Sequence, residues 1–113
     1  MGDWCLVEEH IAVRGDFPTA FQKCHAALRN IRARLRTVDP QTGTLCGRVG
    51  PFLIWWCDEI SVQVGPPRGH ACPVLVRSRP CWPLIQFDFG RNQRHCRRFM
   101  EKIQEIETPG HVL

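Results

Sequence analysis

Apolar residues in this chain alternate between two spacings, and the order of these spacings predicts its secondary structure. From Cys5 to Val13 they recur at every second residue, which indicates a strand, and Gly15 ends it. From Phe17 to Ile31 they recur at three- and four-residue steps, which indicates a helix with one apolar face. Asp16 is a favourable N-cap for that helix, and Pro18 is tolerated in its first turn.

A spacing of two residues returns after the first helix and continues to Ser78. It predicts strands over 32–37, 44–49, 55–64 and 74–78, separated by turns at 39–43 and 65–69 that are rich in Gly and Pro. The last strand is expected to start after Pro73, because proline cannot donate to a β-ladder. A second amphipathic helix follows, with Pro109-Gly110 as its end and with an apolar face made of Cys96, Phe99, Met100, Ile103 and Ile106.

This order predicts an α+β fold: a strand, a helix, a four-stranded antiparallel meander and a helix, as a single domain over residues 1–113. Both helices are expected on one sheet face, and the other face is expected to be open or covered by a second copy. Hydrophobic residues make up 43% and charged residues 23%, which is typical of soluble globular proteins. The longest apolar run, Phe52–Cys57, is too short to span a membrane, and no secretory signal is recognised, so a cytoplasmic location is expected. Seven cysteines without a CxxC motif argue against a disulfide framework, and most are expected to be buried thiols.

The order of elements resembles the TATA-binding-protein-like fold, and this resemblance of architecture implies no DNA binding. The last third of the chain is also similar to the C-terminal part of small bacterial domains of unknown function, in which a Val-Arg-Ser strand leads into an Asp-x-Gly-x-Asn-Arg turn and a helix. The matching residues are Val76, Arg77, Ser78, Asp88, Gly90, Asn92 and Arg94. This chain differs in having a longer and more apolar loop over 81–85. The resemblance implies a bacterial protein and supplies no activity, cofactor or catalytic residue.

The turn before the last helix has a structural interpretation. Asp88 or Asn92 can cap the helix, and Gly90 permits backbone angles that other residues avoid. These three residues are therefore predicted to form a structural strand-to-helix turn.

Four arginines crowd the start of the same helix, where their charge opposes the helix dipole. Arg91, Arg94 and Arg98 share one helix face, close to His95. Arginine at a helix N-terminus favours phosphate and carboxylate. These three arginines and His95 are therefore a candidate site for an anion or an acidic partner. The alternative is a solvated helix face whose arginine stems cover apolar surface.

A second group of arginines lies in the strands. Arg32, Arg34 and Arg36 alternate, and they can combine with Arg48, Arg77 or Arg79 on an open sheet face. Such a face can bind single-stranded nucleic acid when aromatic residues accompany it. The net charge of only +4, the dispersed acidic residues and the absence of tyrosine disfavour nucleic acid. An ordinary polar strand face is the alternative.

Two apolar segments adjoin predicted turns and contain Trp55, Trp56, Trp82 and Leu84. Exposed, these residues would mark a homo-oligomer interface or the mouth of a pocket for an apolar small molecule. The alternative is that they close the end of the core.

No motif of a known catalytic class is present. Cys24-His25 and His95-Cys96 are sequence neighbours that project about 100° apart on a helix, so neither pair can act together. A zinc site of His70, Cys72, His95 and Cys96 has no signature spacing. No catalytic residue, metal or cofactor is therefore predicted. We expect a non-enzymatic binding or assembly protein that forms a homodimer, with two alternatives: a carrier of a small apolar ligand between sheet and helices, and an anion- or nucleic-acid-binding module.

Overall fold

A computed structural model describes residues 6–50, 58–80 and 91–108 and has an α+β architecture. Seven elements follow one another in the order that the spacing of apolar residues predicts. They are β1 (Val7–Arg14), α1 (Phe17–Asn30), β2 (Arg34–Asp39), β3 (Thr44–Val49), β4 (Asp58–Val64), β5 (Ala71–Pro80) and α2 (Arg91–Ile106). Asp16 caps α1 as predicted, since its Oδ1 accepts a hydrogen bond from the Thr19 N–H at 2.9 Å.

The five strands form one antiparallel sheet in the order β1-β5-β4-β3-β2. Strands β2 to β5 are neighbours in chain order, which confirms the predicted meander, and β1 pairs with the last strand. As a result, β1 and β2 are the two edge strands among the described residues.

Both helices pack on one face of this sheet, as predicted. Alternate residues of each strand join the apolar faces of α1 and α2 in one buried cluster, in which Phe99, Leu28, Leu45 and Ile60 are fully enclosed. Burying a side chain of this size contributes about 1.5–3 kcal/mol, so this cluster is the main source of stability. The predicted apolar face of α2 is confirmed, with Cys96, Phe99 and Ile103 buried.

The prediction that the last strand starts after Pro73 is wrong. β5 starts at Ala71, and Pro73 lies inside it, opposite Ala12 of β1. The Pro73 carbonyl accepts a hydrogen bond from Gly65, just beyond the end of β4. Because the backbone of Pro73 faces the end of a neighbouring strand, the ladder loses little from the missing N–H.

The prediction that Arg32 alternates with Arg34 and Arg36 is also wrong. Arg32 has a φ angle of 64° and lies in the turn between α1 and β2. The pairing of β2 with β3 then shifts between Leu35 and Thr37, which is a β-bulge at Arg36. The strict alternation of the sequence is therefore interrupted by one extra residue.

Several predicted residues lie outside the described part of the chain. They are the apolar residues Trp55, Trp56, Trp82 and Leu84 and the turn residues Asp88 and Gly90. Neither helix of the described part combines the length and the apolar character that crossing a membrane requires.

Candidate functional site

The sheet face opposite the helices carries a concentration of arginines. Strand residues that alternate with the core point to this face, and the arginines among them come from β2, β3 and β5: Arg34, Arg48, Arg77 and Arg79. No helix of the described part covers this face, because both helices pack on the other one. Within the described part it is the sheet face without a helix, and we call it the open face.

Strand register places four charged residues in a line across this face, which we call the arginine row. Arg34 is opposite Arg48, Arg48 is opposite Glu59, and Glu59 is opposite Arg79. Side chains directly opposite on neighbouring strands have Cβ atoms about 4.5–5.5 Å apart, and like charges at that distance destabilise a sheet. The row holds three positive charges and one negative charge.

Glu59 is already engaged by neighbours other than Arg48. Its Oε1 accepts from Arg79 at 3.2 Å, and its Oε2 accepts from the Cys46 thiol at 3.6 Å. In contrast, the Nε of Arg48 is buried and has no hydrogen-bond partner within the described residues. A buried donor without a partner costs about 1–3 kcal/mol, more when it is charged, so an acceptor that reached Arg48 after a movement of its side chain would offset this cost.

A second pair of charges lies beside the arginine row. Arg77 Nε contacts Glu8 Oε2 at 2.7 Å, and both side chains are about half exposed. Arg77 and Arg79 border a shallow depression of about 200 Å³, which Leu6, Glu59 and Ser61 also line. The charge of Arg77 is therefore balanced locally by Glu8.

Cys46 lies within this charged surface, and its thiol is not a reactive nucleophile at neutral pH. Partial burial raises the pKa of Cys46, and the carboxylate of Glu59 raises it further, while Arg36 and Arg79 oppose this effect. The thiol therefore stays protonated and donates to Glu59.

A buried polar cluster connects the start of α2 to the sheet on its other face. His95 Nε2 lies 2.8 Å from Asp58 Oδ2, and the two side chains are 11% and 0% exposed. Next to them, the Ser78 hydroxyl donates to Asn92 Oδ1, and both of these side chains are fully buried. Two side-chain contacts thus join the first turns of α2 to β4 and β5.

This cluster has the composition of a catalytic site without its geometry. His95 and Asp58 resemble the oriented imidazole of a hydrolase, but in the described residues His95 bonds only to Asp58. The Ser78 hydroxyl is committed to Asn92, and it is inaccessible to a substrate. The arrangement therefore fixes the position of α2, and a nucleophile beside the imidazole is missing from the described part.

The arginines at the start of α2 and His95 point in different directions. Arg94 and Arg98 are exposed, and His95 is turned inward against Asp58. Arg91 begins the helix. Asn92 lies inside the helix and contacts β5 through its side chain. The side chain of His95 therefore does not join Arg94 and Arg98 in the predicted anion site.

The Asp58–His95 pair was missed by sequence reasoning, although a signal was present. Asp58 shares the inward parity of Ile60, Val62 and Val64 on β4, and a carboxylate at such a position needs a buried partner. The parity of Asp58 alone identifies it as a core residue.

The zinc site considered from the sequence would combine His70 and Cys72 with His95 and Cys96, and the strand positions show how far apart these two pairs lie. Cys72 lies opposite Val13, and His95 contacts Asp58, which lies opposite Pro80. Eight residues of extended strand separate positions 72 and 80, or about 26 Å. In residues 6–50, 58–80 and 91–108, no three His, Cys, Asp or Glu side chains come close enough to hold a metal ion.

Comparison with models of known protein families and with curated proteins gave no match to this chain.

Proposed function

We propose that this protein is a non-enzymatic binding protein whose arginine row receives carboxylate groups of an acidic partner protein. The observation that carries the proposal is the Nε of Arg48, which lies beside a second arginine and has no hydrogen-bond partner among the described residues. Arginine binds carboxylate through two parallel hydrogen bonds, and a carboxylate between Arg34 and Arg48 would also relieve their mutual repulsion.

The composition of the open face favours a protein partner over nucleic acid. Bases are held by stacking on aromatic rings, and the described part of the open face has none. Glu8 and Glu59 lie among the arginines, where they would repel a continuous line of phosphates. Separate carboxylates on a partner surface fit this mixed pattern better than a polyanion does.

Self-association remains a second proposal, and it depends on the apolar segments around Trp55 and Trp82. In the described part, Val38 is the single large apolar side chain with high exposure, at 45%. Two copies of the positively charged open face would repel each other. A homodimer is therefore proposed to form through the two apolar segments rather than through the sheet face.

A carrier role for an apolar small molecule is less well supported. The sheet and helices of the described part meet through enclosed side chains such as Phe99 and Leu28, which a ligand would have to displace. We keep a bacterial origin and a cytoplasmic location as proposals. The four described cysteines are free thiols, which is typical of a reducing compartment.

The proposal is tested with a fluorescent glutamate-rich peptide and Arg48→Gln. Loss of the charge-assisted hydrogen bonds of Arg48 should weaken binding about tenfold or more. The stability of the variant should not fall, because the substitution removes a like-charge contact with Arg34. The matched control is Arg98→Gln, which removes one arginine from the exposed surface of α2. Equal weakening by both substitutions would mean that net charge, and not the arginine row, determines binding.

A further inference from the structure

β1 is an edge strand, and half of its backbone hydrogen-bonding groups point away from β5. The Arg14 N–H donates to Glu107 Oε2 at 2.5 Å, and the Arg14 carbonyl accepts from Lys23 Nζ at 2.9 Å. Along an antiparallel strand these groups change sides at every residue. The backbone groups of Glu8, His10 and Ala12 therefore point to the same free edge.

The pairing of Ala12 supports this assignment independently. Ala12 lies opposite Pro73, whose carbonyl bonds to Gly65 on the far side of β5 from β1. A pair in which one backbone faces away from its neighbour is a non-hydrogen-bonded pair. The N–H and carbonyl of Ala12 thus face outward.

The free edge is closed at one end by a clasp of Glu107 and Lys23. Their side chains are 15% and 21% exposed, and they contact each other at 3.2 Å while both bond to Arg14. No described side chain bonds in this way to the backbone of Glu8, His10 or Ala12. The open length of the edge is therefore short and ends at the clasp.

A groove of about 450 Å³ runs between this edge and α2. Its apolar wall consists of Ile11, Met100 and Ile103, and Gln104 and Thr108 add polar groups. An open strand edge beside a helix is the geometry in which domains that bind peptides by strand addition hold an extended segment.

Charge at the groove identifies the kind of segment that fits. Glu9 shares the strand face of Ile11 and is exposed. It lies close enough to Cys96 of α2 to raise the pKa of that thiol, after burial as the main cause. Within the described residues Glu9 has no hydrogen-bond or ion-pair partner. A cationic side chain on an added strand would supply one.

We propose that an extended segment of a partner protein adds to the β1 edge in this groove. Its backbone pairs with Glu8, His10 and Ala12. An apolar side chain packs against Ile11 and Met100, and a basic side chain two positions away pairs with Glu9. This surface is separate from the arginine row, so the two proposals can fail independently.

A second copy of the chain is a poorer occupant of the same edge. In a two-fold antiparallel pairing that uses the three open residues, His10 would face its own copy. The two Glu9 side chains would then lie on one face as diagonal neighbours, about 7–8 Å apart. This like-charge contact favours a basic segment of another protein.

The test uses the peptide Ser-Lys-Thr-Val-Thr-Lys-Ser, which places lysine two positions from valine in either strand direction. Its control is the same peptide with glutamate in place of lysine. Binding is followed by the amide signals and hydrogen exchange of the labelled protein. We expect the lysine peptide to slow exchange at His10 and Ala12, and we expect no binding of the glutamate peptide at this edge.

Two substitutions make the test specific. Ala12→Pro removes an outward N–H without breaking a bond to β5, so it should abolish binding and leave the fold intact. Glu9→Lys should weaken binding about fivefold or more, and Glu101→Lys, with the same charge change on the exposed surface of α2, should not. Unchanged exchange at His10 and Ala12, binding that survives Ala12→Pro, or protection of these amides by self-association without peptide would each overturn the proposal.

Discussion

Replacing His95 by leucine should destabilise this protein more than any surface substitution does. The substitution leaves the carboxylate of Asp58, which is 0% exposed, without the imidazole that now lies 2.8 Å away. Removing one partner of a buried pair costs about 3–5 kcal/mol, since the remaining charge stays out of water. Asp58 keeps another interaction, so a loss near the lower end, about 3 kcal/mol, is expected.

That loss is large for a chain of 113 residues. Domains of this size have a free energy of unfolding of about 5–15 kcal/mol. About 4 °C in melting temperature corresponds to each kcal/mol, so the melting temperature should fall by about 12 °C. The measurements are thermal and urea unfolding followed by circular dichroism, at a pH held near 7.

The double variant separates the buried charge from simple loss of packing. Asp58→Asn removes the charge, so adding it to His95→Leu should recover part of the loss, with a coupling energy of about 1 kcal/mol or more. His25→Leu, a half-buried histidine on α1, is the control and should change stability by about 0.5 kcal/mol or less. A loss for His95→Leu as small as that of the control would refute the role given to this pair.

Three further predictions follow from buried thiols and from the clasp. Burial raises the pKa of Cys24 from 9.0 to about 12. The contribution of the protonated thiol to the free energy of unfolding should therefore be fully present below pH 9 and be lost as pH rises toward 12. Cys24→Ala should reduce this pH dependence, measured by urea unfolding at pH 8 and pH 10. Cys46, the least buried of the four described thiols, should be alkylated before the other three of them in the native protein, and faster in Glu59→Gln, as measured by mass spectrometry. Glu107→Ala should speed hydrogen exchange at the Arg14 amide and leave that at Val76 unchanged.

Local periodicity explains why most of the fold was predictable. Strand β3 has the predicted bounds, and α1 and α2 bury the predicted faces, since each of these features depends on residues close in sequence. Pro73 was misjudged because its tolerance depends on where β4 ends, and the bulge at Arg36 depends on pairing with β3. Both are properties of neighbours rather than of the segment itself.

The candidate site shows the same difference between features set by nearby residues and features set by neighbouring strands. The arginines of the strands were recognised as a group, but their meaning depends on register, which puts Arg48 between Arg34 and Glu59. The pairing of Asp58 with His95 joins residues 37 positions apart, and no local pattern specifies it. Residue types and strand faces are thus readable from the sequence, whereas the partners across the sheet are not.

The most direct test of the arginine row is a titration of the labelled protein with the glutamate-rich peptide, following the Nε–H signals of its arginines. The signal of Arg48, whose Nε has no partner within the described residues, should shift most. The signal of Arg77, which is held by Glu8 at 2.7 Å, should shift less. An unmoved Arg48 signal, with shifts at Arg94 and Arg98 instead, would contradict this account and place the acidic partner at the start of α2.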